Sequence, residues 1–157
     1  MKFQFINIGK PHDEALKKAI DDFTNRINKY YNTEWLIISQ VKNAAVLPEA
    51  ELKKQEARSI ISKINKDDFL ILLDETGRQL SSVELANFIE QKSATGTRLI
   101  IFLIGGAFGV SDEIKQRANF TWSLSKLVFP HMIVRLVLAE QVYRACTILR
   151  NEKYHHS

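Results

Sequence analysis

The residues most able to do chemistry begin with a group of glycines. In "FLIGGAFGV" (Phe102–Val110) an apolar run stops at Gly105 and Gly106, and Gly109 follows three residues on. Glycines after a strand let backbone approach a ligand that a Cβ would hold off. A phosphate cradle is the first candidate, and its chemistry fails. The dinucleotide fingerprint G-x-G-x-x-G needs glycine where Ile104 stands, and an acidic residue about 20 positions on. It also belongs after a first strand, whereas this loop follows a fourth. A Walker loop needs Gly-Lys-Ser/Thr, and here Val110 and Ser111 follow Gly109. Two readings stay open: a tight strand-to-helix turn using positive φ, and a loop holding a ligand without phosphate.

A second feature is a charge pattern. From Ile114 to Ala139 there is no Asp or Glu, while Lys115, Arg117, Lys126, His131 and Arg135 fall inside. Either the segment is buried with a few solvated cations, or it forms a surface that a phosphate backbone can approach. The net charge of +4 leans the same way. Cys146 is the one cysteine, so an intramolecular disulfide is excluded and a reducing, cytoplasmic home is expected. Cys146 itself reads as a small core residue. No His/Cys/Asp cluster has metal spacing, so no metal is expected. No apolar run approaches the ~18 residues of a membrane span.

The elements that must position these residues alternate. "KFQFINIG" reads as a strand. Pro11 suits a first helical position, with Asp13 and Glu14 following in the first turn. The helix His12–Tyr31 puts Leu16, Ile20, Phe23 and Ile27 on one face. "TEWLIISQV" is a second strand, and Pro48, Glu49 and Glu51 open a helix to about Ile64. Phe69–Asp74 is a short continuous apolar strand, as in a sheet covered on both faces. Ser81 with Glu84 predicts a capping box for a helix over Ser82–Ala94. Arg98–Ile104 is another buried strand, Ser111 starts a short helix, and Phe120–Ser125 is a fifth strand. A long helix, about His131–Arg150, closes the chain. One α/β domain over 1–157 follows, with a mostly parallel sheet and helices on both faces. Ligands in such sheets sit beyond the carboxyl ends of the strands. The loops after Asp74, Ile104 and Ser125 emerge there. The last helix is apolar nearly all round, so it is expected to be buried on every side, against a second copy in a homodimer.

Four motifs stand in order, "LLDETGRQLSS" (Leu72–Ser82), "IGGAFG" (Ile104–Gly109), "SLSKLVFPH" (Ser123–His131) and "EQVYRACTILRNEKYH" (Glu140–His155), within a resemblance that covers the whole chain. Together they resemble the α/β-knot (SPOUT) methyltransferases. Within them, the chain is similar to the small bacterial family that methylates N3 of a pseudouridine in 23S ribosomal RNA. The resemblance implies a deep trefoil knot in the C-terminal part, with S-adenosylmethionine bent in the knotted crevice. It implies cofactor contacts from Leu73, Gly105 and the segment Leu124, Ser125, Lys126, Leu127, Val128 and Phe129. Val128 stands where the family commonly has threonine, so any hydroxyl bond to the cofactor is lost. The implied partners are the large subunit or the whole ribosome and a second copy of the chain.

The implied chemistry needs the N3 proton removed and the nitrogen held in line with the methyl. Candidates for the base, or for a cation stabilising the developing anion, are His131, Arg135, Arg144, Tyr154 and His155. The family ends in a Tyr-His pair thought to reach the active site across the dimer, so Tyr154 would stack on the base and His155 would manage the proton. Arg135, Lys126 and Arg117 are the expected RNA contacts, with Arg144 as another candidate; a structural ion pair with Glu140 is the alternative for Arg144. Rival readings are a SPOUT enzyme with a different target nucleotide, a ribosome-binding factor without catalysis, and a nucleotide-dependent oxidoreductase.

Overall fold

A computed structural model describes residues 1–156. Five strands form one sheet: β1 (Lys2–Ile8), β2 (Asn32–Ile38), β3 (Phe69–Gln79), β4 (Leu99–Ile104) and β5 (Phe120–Ser123). Their order is β2-β1-β4-β3-β5, and every pairing is parallel. The helices are α1 (Glu14–Ile27), α2 (Glu49–Ile61), α3 (Ser82–Ala94), α4 (Asp112–Arg117) and α5 (His131–Leu149).

Period-2 alternation decides the layers. Phe3, Phe5, Ile71, Ile100 and Phe102 point to one face and pack against Ile27 of α1, Leu85, Ala86 and Ile89 of α3, and Leu138 and Val142 of α5. Ile6, Ile8, Leu70, Leu72, Ile101 and Leu103 point to the other and pack on Ala57, Ile60 and Ile114. The expected α/β sheet with helices on both faces is therefore present, and the central strands read as continuous apolar runs for that reason.

Local signals hold at most helix starts. Ser81 caps α3 through Glu84 N, and the Glu84 carboxylate accepts from Ser81 N at 2.7 Å. Ser111 caps α4. The start of α1 differs from the sequence reading: Pro11 lies outside the helix, and Asp13 caps it by accepting from Ala15 N. An aspartate side chain satisfies a free N–H that proline at the first position only avoids.

The third strand also runs beyond the apolar stretch. It is irregular between Leu73 and Arg78, where its register on β5 shifts. Asp74 Oδ1 accepts from both the backbone N–H and the hydroxyl of Thr76. Gly77 lets the strand close again: a Cβ there would lie 2.6 Å from the backbone of Thr121. This bulge bends Asp74–Thr76 over the carboxyl end of the sheet.

Candidate functional site

The bulged segment of β3 and the loops after β4 and β5 converge on one cavity of about 530 Å³. That is within the range of about 300–1,000 Å³ typical of small-molecule sites. Leu73, Gly105, Leu124, Ser125, Leu127, Val128, Phe129 and His131 all line it. Of the expected cofactor segment, only Lys126 is outside the lining; its side chain is exposed. Sequence reasoning missed Glu49, Lys53 and Lys115, which also line the cavity. Lys53 and Glu49 form an i,i+4 pair at 3.0 Å, so the pattern was visible as a surface pair without any sign that it borders a cavity.

The glycine loop serves both readings left open by its sequence. Gly109 N donates to Gly106 O at 3.0 Å, and Gly109 has φ +79°, so the segment is a tight turn. It also forms a wall of the cavity. At Gly105 a Cβ would meet Val110 Cγ1 at 2.7 Å, so the close packing there requires glycine.

The lining suits a flat apolar group with polar ends. Leu73, Leu124, Phe129 and Val134 supply apolar surface, and bare backbone at Gly105 and Gly106 supplies amide and carbonyl groups. Ser125 Oγ accepts from Leu127 N at 3.0 Å and its carbonyl accepts from Ser123 Oγ at 2.9 Å, which fixes the third loop. Around the mouth, Phe108 (56% exposed), Leu127 (69%) and Val128 (82%) stand in water. Three exposed apolar side chains at one opening mark an interaction surface. These side chains and bare amides fit a nucleoside cofactor such as S-adenosylmethionine.

His131 opens α5 at the cavity edge. Burial, and then the nearby Arg135 guanidinium, hold its pKa below the ordinary histidine value. Arg135 is a correction to the sequence reading. It is 2% exposed, with Nη2 donating to Lys10 O at 3.0 Å and Nη1 3.2 Å from His12 Nδ1. In this conformation its guanidinium offers no face to a phosphate backbone. It straps the β1–α1 loop onto α5, and its Nε has no partner. Arg117 is also engaged internally: it donates to the carbonyls of Asn65 and Asp68 and to Asn119 Oδ1. That clasp ties the C-terminus of α4 to the turn before β3. Lys126 remains solvated.

The other catalytic candidates gather at the far end of α5. Glu140 Oε1 accepts from Arg144 Nε at 3.0 Å and from the Tyr154 hydroxyl at 3.1 Å. Arg144 lies over the Tyr154 ring at 4.7 Å, and Tyr143 packs on that ring with centroids 4.7 Å apart. Burial, and then the Glu140 carboxylate, raise the Tyr154 pKa, so the phenol keeps its proton and is a donor and a stacking surface. Both ring nitrogens of His155 are shielded from water and have no hydrogen-bond partner. Tyr154 thus packs on α5, and the His155 imidazole beside it is uncommitted.

His131 and this tail do not meet within one chain. Glu140 lies nine residues after His131 along a straight helix, about 14 Å at 1.5 Å per residue. No group of three or more His, Cys, Asp or Glu residues could hold a metal, and no helix is long and apolar enough to cross a membrane, among the described residues.

Comparison with known proteins agrees with this geometry. A family model described as a predicted SPOUT methyltransferase matches residues 1–155. A protein named ribosomal RNA large subunit methyltransferase H from Cytophaga hutchinsonii is 43% identical over 99% of this chain and 100% of its own length. Its namesake from Flavobacterium johnsoniae is 42% identical over 99% of both chains. Among solved structures, a probable methylase family protein from Haemophilus influenzae aligns with a TM-score of 0.52 at 13% identity. That alignment covers 99% of this chain and 70% of the other, a likeness of fold.

Proposed function

The chain belongs to the SPOUT methyltransferase family, and we propose that it methylates N3 of a pseudouridine in 23S ribosomal RNA, using S-adenosylmethionine and acting as a homodimer on assembled ribosomes. What carries the reading is the convergence of the β3 bulge and the loops after β4 and β5 on one cavity, in a chain whose full-length relatives are named as large-subunit ribosomal RNA methyltransferases.

Leu73, Gly105 and the Leu124–Phe129 loop would hold the cofactor. The cofactor supplies a methyl group already activated on a sulfonium. The protein's share is to align N3 with that methyl and to take the N3 proton. His155 is our candidate for the proton, because both its ring nitrogens are uncommitted. Tyr154 is the candidate platform for the unstacked base, with Arg144 steadied over its ring.

The separation along α5 supports the dimer. With the tail held at Glu140 and His131 at the cavity edge, a tail supplied by a second copy is the arrangement we propose for one active site. Met132, Ile133, Val134, Leu136 and Val137 are only partly covered in the single chain, which leaves an apolar surface on α5 for that copy. The trefoil knot is part of the same proposal, since it is the family's way of forming such a crevice.

The test is methyl transfer from labelled S-adenosylmethionine to ribosomes lacking the modification, with free ribosomal RNA in parallel and nucleosides resolved by mass. A methyl on the pseudouridine ring, from ribosomes only, is the expected result. Cofactor binding with a methyl on a different nucleotide would overturn the choice of target. Absence of both binding and transfer would turn the reading to a ribosome-binding factor. Sedimentation of the free protein should give twice the chain mass.

A further inference from the structure

Behind the glycine loop lies a second cavity of about 410 Å³. Gly106, Ala107 and Phe108 line both cavities, so the loop is the partition between them. The second cavity is walled by Gly9 at the end of β1, by Gln40 and Asn43 after β2, and by Glu56 of α2.

Glu56 is its one charged side chain. The residue is 6% exposed, and no described residue gives its carboxyl a hydrogen bond or an ion pair. Its oxygens lie 2.6 and 2.8 Å from where a Cβ on Gly106 would stand. Glycine at 106 is therefore what lets a carboxyl sit against the loop. Burial alone pushes its pKa above the ordinary carboxylate value. A carboxyl with no protein donor has only cavity water to bond, and a docking N–H would take that water's place.

The substrate class proposed above offers such a donor. Pseudouridine is joined to its ribose through carbon, so its N1 carries a hydrogen that uridine lacks. N3–H is common to both. An enzyme that must act on pseudouridine and spare uridine needs an acceptor at N1.

We propose that Glu56 reads the N1–H of the target base. The base lies between Phe108, which rims both cavities, and the Tyr154 platform, and turns its N3 edge toward the cofactor cavity. The amides of Gln40 and Asn43 are placed to meet ring carbonyls. The inference rests on the reading of the protein as a pseudouridine-N3 methyltransferase and supplies its specificity.

The test compares ribosomes carrying pseudouridine at the target with ribosomes carrying uridine there, from cells lacking the pseudouridine synthase. The unaltered protein should prefer pseudouridine by about 100-fold or more in kcat/KM, as expected where a site hydrogen-bonds a group that the analogue lacks. Glu56→Met fills the space and removes the acceptor. It should lose most of that preference by slowing on pseudouridine while its rate on uridine and its affinity for S-adenosylmethionine hold. Glu56→Gln keeps an acceptor oxygen and should retain part of the preference, which guards against misfolding of the methionine variant. An unchanged preference in both variants, with the parent active, would sink the role of Glu56 alone. Equal losses on both substrates, with weaker cofactor binding, would make Glu56 a support for the glycine loop. A parent inactive on both substrates would sink the proposed function itself.

Discussion

The Tyr154 hydroxyl donates to Glu140 Oε1 at 3.1 Å, the same oxygen that accepts from Arg144 Nε at 3.0 Å. One carboxylate therefore fixes both the C-terminal tail and the cation stacked on it. Glu140 Oε2 accepts from Gln141 Nε2 at 2.7 Å, and Gln141 in turn accepts from the Ser82 hydroxyl. The tail is anchored through α5 to the start of α3.

Glu140→Ala should release that anchor. Charged hydrogen bonds contribute about 1.5–3 kcal/mol each, so a tail that works in catalysis should lose about tenfold or more in kcat. Affinity for S-adenosylmethionine should stay within about twofold, because Glu140 does not line the cavity. Single-turnover methyl transfer and calorimetric titration separate the two. A normal kcat would mean that the position of Tyr154 and His155 is irrelevant to the chemistry.

The glycines at 77 and 106 should behave differently on substitution. A Cβ at Gly77 strikes the backbone of Thr121, whereas one at Gly106 strikes the end of the Glu56 side chain. Backbone of a paired strand has nowhere to go. Gly77→Ala should cost about 3 kcal/mol in urea unfolding, at the upper end of overpacking. Gly106→Ala should cost less, because the carboxyl can swing away. Equal losses would mean that the bulge between Leu73 and Arg78 is soft.

His12 and His131 flank the buried Arg135, and burial followed by its charge lowers both pKa values from 6.5. The unfolded chain then binds protons more readily than the folded one. Stability should be full above about pH 6.5, the unfolded value, and decline as pH falls through the folded values. Replacing both with glutamine should shrink the difference between urea midpoints at pH 7.5 and pH 5.5. A difference that persists unchanged would assign the acid sensitivity to other groups.

Much of this was legible because neighbouring residues carry the information. The Ser81–Glu84 box, the apolar strands and the three strand-end loops are local patterns. The bulge after Leu73 was not, since it depends on Gly77 meeting a strand more than forty residues later. The acid-free stretch leaves burial and an RNA-facing surface both open for Arg135, because the partners that bury it, Lys10 and His12, come from the other end of the chain. Glu56 was passed over amid the charges of α2. A signal did exist: it shares a face with Leu52 and Ile60 at i±4, and both of those are buried.

That position of Glu56 gives the last prediction. Its pKa is raised from 4.5 by burial. The sign is opposite to that of the histidines. The folded state binds the proton more tightly than the unfolded chain, so the contribution to stability is full below pH 4.5. It is lost as pH rises through the folded value. At pH 8, where the carboxyl of the unfolded chain is ionised, burial of Glu56 weakens the fold. Glu56→Gln cannot ionise, so it should melt a few degrees higher than the parent at pH 8. Near pH 4.5, where Glu56 itself holds its proton, the gap should close. A lower melting temperature for the glutamine variant at pH 8 would mean that the carboxylate has a partner in the folded protein. The docking role argued for it would then lose its basis.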